Sequence, residues 1–175
     1  KYLIHCINNI IIMSNFNTLQ QIAEISLGLF GFSSILIGLG KSIKYFNLVY
    51  SFRVQLLIYS SLGSMFGFLI PFAVFYDNSD YNTHWIIVSS LMTIYVIIGL
   101  FKFPKQMRKL RTSYPELFPL HIYIIQTGIL VCIFSLSLSI LFNILEFKSN
   151  GYIILLILYL IQSTIAFVRT IFYRA

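Results

Sequence analysis

The segment RVQLLIYSSLGSMFGFLIPFAVF, residues 53–75, decides the fold class. A single basic residue, Arg53, opens it, and a long, mostly apolar run with no further charge follows. About 20 such residues in a helix span the hydrocarbon core of a bilayer. Gly63 and Gly67 stand at its centre in a GxxxG spacing, and Pro71 follows one helical step later. The segment reads as a membrane-spanning helix with a small-residue face turned toward its neighbours.

Composition extends that reading to the whole chain. Of 175 residues, 58% are hydrophobic and only 10% charged, too few charges to cover a soluble domain of this size. The mean hydropathy of +0.87 agrees. Phe and Tyr supply most of the aromatic share, as lipid-facing surfaces and interfacial belts require. The formal charge of +7 does not point to nucleic acid, because the cations sit between apolar runs. Topology and anionic lipid headgroups account for them. The two cysteines, Cys6 and Cys132, fall too far apart in depth to form a disulfide framework or metal cluster. No cofactor is expected. Residues 1–12 precede Met13 and the natural-looking start MSNFNTLQQ, so they read as upstream read-through or a fragment tail. Residues 13–175 then form a single membrane domain.

Five runs are candidates to cross, near 22–40, 55–75, 85–101, 120–145 and 152–168. The third and fifth are short, and a four-span alternative makes one of them re-entrant. The connection before span two holds Lys41 and Lys44, with Arg53 at its end, while the next holds Asp77 and Asp80 and no cation. The third connection is the longest. It carries Lys102, Lys105, Arg108, Lys109 and Arg111 against one Glu116, and the chain ends with Arg169 and Arg174. This alternation predicts an all-α polytopic bundle with the N-terminus outside and the C-terminus cytoplasmic. Pro104, Pro115 and Pro119 argue against a continuous helix through the third connection, although 105–113 can form a short basic helix on the membrane surface.

Small residues are the expected helix-packing positions: Gly28, Gly31, Ser34 and Gly38 in span one, Ser60, Gly63, Ser64 and Gly67 in span two, and Gly128, Cys132, Ser135 and Ser139 in span four. Pro71 predicts a local kink. Intramembrane polar residues are the candidate functional groups. Glu24 is the one carboxylate inside a predicted span, with His84 as its expected partner at the same depth. Gln162 falls near the midplane and calls for a hydroxyl such as Thr93, Ser135 or Ser64. Arg53, Gln126 and Arg169 lie toward the cytoplasmic side, where they snorkel to the interface or gather around a lipid phosphate. The five cations of the third connection, with Lys41 and Lys44, are topogenic or meet lipid headgroups.

No HExxH, CxxC, P-loop or potassium-filter signature occurs, and His5, His84 and His121 are scattered. No span holds an aspartate or a central lysine. Catalysis is not expected, and neither is a resident metal.

The order Glu24, Gly31-Phe32, Arg53, Ser61-Leu62, Phe66 and Leu69-Ile70-Pro71 resembles a loose group of small bacterial multi-span inner-membrane proteins of uncharacterised activity. The resemblance covers about a third of the chain and implies an inner-membrane setting. The leading functional expectation is a non-enzymatic membrane protein acting through assembly, as a homo-oligomer or an accessory subunit. The alternatives are a small transporter or channel using Glu24 and the midplane polar residues, and a lipid-active enzyme.

Overall fold

The computed structural model describes residues 20–35, 48–74, 81–116, 118–145 and 147–172. Among them every regular element is helical: α1 (20–35), α2 (Leu48–Val74), α3 (Tyr81–Ser113), α4 (Leu120–Leu141) and α5 (Lys148–Phe172). Helices α2 to α5 are each long and apolar enough to cross a membrane. Their many hydroxyls do not break them, because most bond back into their own helix. Ser60 and Ser61 donate to the carbonyls of Leu56 and Leu57, and Ser90 and Thr170 to those of Ile86 and Ala166. A hydroxyl satisfied one turn back costs little in an apolar medium.

Successive helices run antiparallel, and α2, α3, α4 and α5 close into a ring. Tyr59 of α2 stacks on Tyr95 of α3, and Thr93 of α3 meets Ser137 of α4. Along the α2–α5 seam, Arg53 stands beside Arg169, Gly63 beside Tyr159 and Gly67 beside Leu156. Helix α1 lies against this ring through Ser26 on Ser64 and Phe32 on Phe167.

The outer surface is apolar. Ile94, Ile98, Phe101, Ile124 and Ile154 are all at least half exposed, while Ser, Thr, Gln and Arg side chains are buried. Polar inside and apolar outside is the distribution a lipid solvent selects.

Three expectations need correction. Helix α3 runs through Pro104 to Ser113, so 105–113 continues α3 and is not a separate surface helix. A proline costs one backbone bond, and the stripe Phe103, Met107 and Leu110 offsets that loss by burial on the cluster containing Val49, Phe52 and Phe118. Helices α3 and α5 have 33 and 25 residues, so neither is short and the re-entrant alternative loses its basis. Helix α4 stops at Leu141 rather than near 145. Asn143 adopts φ 57°, the left-handed cap conformation that asparagine tolerates, and the Ile144 N–H turns back to the Ser139 carbonyl at 2.9 Å.

Candidate functional site

The expected small-residue faces divide sharply. On α2, Ser60, Gly63, Ser64 and Gly67 are all buried. A Cβ on Gly63 would stand 2.7 Å from Tyr95 Cε1 and 3.0 Å from Tyr159 Cε1, and one on Gly67 would strike Leu156. The glycines therefore let two rings and a leucine reach the α2 backbone. Gly99 of α3 does the same for the Tyr59 hydroxyl. Close contact then fixes a reciprocal bond: Tyr59 Oη donates to the Tyr95 carbonyl at 2.8 Å, and Tyr95 Oη donates to the Tyr59 carbonyl at 2.7 Å. The two rings stack at 4.6 Å between centroids, almost parallel. Tyr152 Oη likewise donates to the Gly67 carbonyl.

On α1 and α4 the small residues turn away from the chain. Gly28, Gly31, Ser34, Gly128, Cys132 and Ser135 are exposed, and nothing lies within 4 Å of a Cβ placed on any of the three glycines. Ser139 is half-buried and bonded to the Ser135 carbonyl. Helix α4 instead buries Gln126, Leu130, Ile133, Ser137 and Ile140. Helix α1 reaches the ring with Ser26, whose Oγ lies 2.6 Å from the Ile22 carbonyl and 2.7 Å from Ser64 Oγ.

At one end of the ring two arginines are buried. Arg53 is 3% exposed and Arg169 is 6% exposed, so neither snorkels to the surface. Both guanidiniums lie over the Phe118 ring, at 5.8 Å and 5.1 Å from its centroid. Phe118 is fully buried between the end of α3 and the start of α4. Arg53 Nη1 donates to the Arg169 carbonyl at 3.2 Å. That carbonyl lies in the last described turn of α5, and a cation near a helix C-terminus complements the helix dipole. The weakly hydrated guanidinium tolerates such a site better than an ammonium, and the aromatic ring contributes roughly 0.5–2 kcal/mol per cation.

Deeper along the same face of α5 the polar groups are unsatisfied. Gln162 is fully buried, and neither its amide nitrogen nor its oxygen has a hydrogen-bond partner. The Ser163 hydroxyl and Gln126 Oε1 share this condition. The hydroxyls expected to meet Gln162 are committed elsewhere or out of reach. Thr93 donates to the Ser89 carbonyl and contacts Ser137, Ser64 holds Ser26, and Ser135 is exposed.

Glu24 is exposed on α1 and accepts a 3.3 Å bond from Gln20. His84 is buried on α3, next to Trp85 in sequence. Pro71 is buried within α2, which continues to Val74. Lys102, Lys105, Arg108 and Lys109 are exposed along α3, and Arg111 is half-buried. Gly38, Lys41 and Lys44 lie outside the described residues. Sequence reasoning missed Phe118 and the Tyr59–Tyr95 pair. The apolar Leu117-Phe118 step inside an otherwise polar, proline-rich connection was the available signal for the first. No family model, curated protein or solved structure matches the chain.

Proposed function

We propose that this chain is a non-enzymatic five-span membrane protein, N-terminus outside and C-terminus cytoplasmic, that works by assembly in the membrane. The partner is a second copy or another membrane protein to which it is an accessory subunit. One observation carries this reading: the α4 face of Gly128, Cys132 and Ser135 points away from its own bundle, with open space over Gly128. In lipid, small residues favour close approach of a second helix, since apolar burial alone gives no net drive there. The centre of the bundle, by contrast, is filled by Tyr59, Tyr95 and Tyr159. Glu24 points off the bundle, which removes the support for a transport route through it.

The orientation rests on charge. Arg53, Arg169 and the α3 extension mark one end, and Asp77 and Asp80 belong in sequence to the opposite connection. Anionic headgroups at the cytoplasmic face and a bacterial inner membrane belong to the same reading, the latter on the resemblance to small inner-membrane proteins.

Native mass spectrometry from a mild detergent tests assembly. A dimer, a higher oligomer or a co-purifying membrane protein is the expected result. Gly128→Leu should release that partner while leaving the thermal midpoint of the chain unchanged. A parent that is monomeric and carries no partner contradicts the proposal.

A further inference from the structure

We propose that the end of α3 beyond Phe103 is a docking stub for an acidic segment of a water-soluble protein, with Arg108 and Lys109 as its principal contacts. This surface lies at the end of the bundle, apart from the α4 face, and does not depend on the assembly reading.

Its position follows from the aromatic contacts at that end. Phe103 of α3 packs on Phe52 of α2 at 6.1 Å between ring centroids, and Phe52 packs on Phe118 at 5.6 Å. Phe103 therefore stands near the level of Phe118, just before α4 begins. The lipid-facing surface of α4 starts at once, with Leu120, Ile124 and Ile125 all at least half exposed. The edge of the hydrocarbon layer thus lies near Phe103. Helix α3 continues past it to Ser113, a further stretch of about 15 Å. The headgroup layer on one side of a bilayer is only about 5–8 Å deep. Arg108 and Lys109, about 8–9 Å beyond Phe103, reach its outer limit, and Thr112 and Ser113 stand clear of it.

The stub is fixed by packing, and its cations fall into two tiers. Met107 and Leu110 are buried with Val49 and Phe52, which leaves the opposite face of the helix to solvent. On that face Lys102 lies over the Phe103 ring at 5.6 Å and Lys105 over the Phe101 ring at 5.7 Å, so this pair stays at headgroup level. Arg108 and Lys109 are exposed, and among the described residues no side-chain hydrogen bond, ion pair or ring contact engages either.

Lys105 and Lys109 stand one turn apart, as do Arg108 and Arg111, a spacing at which like charges repel. From Lys102 to Glu116 the chain sets five cations against that one carboxylate. A second copy would bring the same excess to the same side of the membrane, and Asp77 and Asp80 belong to the opposite connection. The complement of this face is a run of Asp or Glu on another protein, reaching the stub from water. Because the stub is already ordered, such a segment gives up only its own freedom on docking.

The full chain is reconstituted in phosphatidylcholine nanodiscs. A short fluorescent peptide of alternating Glu and Gly is titrated by anisotropy at low salt, beside its Gln and Gly counterpart. The parent should bind the Glu peptide at least about tenfold tighter, and the difference should shrink as salt rises. Arg108→Gln with Lys109→Gln should weaken Glu-peptide binding about tenfold, while Lys102→Gln with Lys105→Gln should change it by about threefold or less. All four positions are exposed, so both double variants should keep the thermal midpoint of the parent.

Lipid is followed separately, as phosphatidylglycerol retained on extraction from mixed vesicles and counted by native mass spectrometry. The Lys102 and Lys105 variant should lose retention, and the Arg108 and Lys109 variant should keep it. Equal binding of the two peptides by the parent overturns the proposal. Equal losses of Glu-peptide binding in the two double variants do so too, because they assign it to diffuse charge. Loss of phosphatidylglycerol by the Arg108 and Lys109 variant also overturns it, since the membrane is then the occupant of that pair.

Discussion

On the α3 side of the bundle, polar groups that meet between helices find partners. Tyr59 and Tyr95 exchange hydroxyl bonds with each other's carbonyls, and Thr93, Ser137 and the Ser89 carbonyl form a compact cluster between α3 and α4. The lower half of α5 behaves differently. Less than one turn from Tyr159, Gln162 is equally buried and bonds to nothing, and two turns further Arg169 brings a charge into the same interior face. The unbonded Gln162 is more deeply buried than the bonded Tyr59 and Tyr95, so access to solvent does not satisfy it. The α3 side is a packing seam in which the tyrosine pair and the Thr93–Ser137 pair are answered by the chain itself, with the Ser89 hydroxyl left unbonded. On the α5 side the Gln162 amide and the Ser163 hydroxyl are buried without a hydrogen-bond partner.

That contrast can be broken most strongly at Gly99. Its missing side chain makes room for the Tyr59 hydroxyl, and a methyl there would collide with a rigid ring. Gly99→Ala should lower stability by about 2–3 kcal/mol in SDS-driven unfolding from mixed micelles, and Tyr59→Phe should recover part of the loss. An effect no larger than for Gly128→Ala, where nothing lies within 4 Å of the new methyl, would show that the seam is loose.

Next in size is a change of opposite sign. Gln162→Leu should raise the stability of the chain by roughly 1–2 kcal/mol, because two unbonded buried polar atoms disappear at similar volume. Destabilisation in the same unfolding assay would mean that the amide is satisfied in the membrane, and the two sides would then be alike. The smallest effect should come from Tyr95→Phe. It removes one hydroxyl bond while the Tyr59 carbonyl keeps its place in α2, a cost of about 1 kcal/mol. A double-mutant cycle with Tyr59→Phe should show coupling between the two bonds, since each holds the other ring in its stacked position.

Much of the fold could be read from residues 53–75 outward, because length and apolarity alone define a helix that can span. Faces were legible only where a feature forced them. Gly63 and Gly67 mark a contact, since two large rings and a leucine exploit the space they leave. Gly128, Cys132, Ser135 and Ser139 repeat just as regularly on α4, a helix apolar nearly all round, and spacing could not tell which side meets the bundle. Pro104 misled for a related reason. Its local cost is visible in sequence, whereas the compensating burial of Phe103, Met107 and Leu110 on α2 and Phe118 is tertiary. Arg53 and Arg169 lie together at one end of the bundle. Both lie over Phe118, a residue from the α3–α4 connection that no local rule places beside two arginines.

The account stands most directly on which ends of the helices share a side of the membrane. Single cysteines at Ser14, Thr83, Thr112 and Arg174, in a chain with Cys6 and Cys132 replaced by serine, can be challenged with a membrane-impermeant maleimide in sealed right-side-out vesicles. Five spans with the arginine end inside predict labelling at Ser14 and Thr83 in intact vesicles. They predict labelling at Thr112 and Arg174 only after permeabilisation. Labelling of Ser14 from the same side as Thr112 would reduce the spans to four, and labelling of Thr112 in intact vesicles would reverse the orientation.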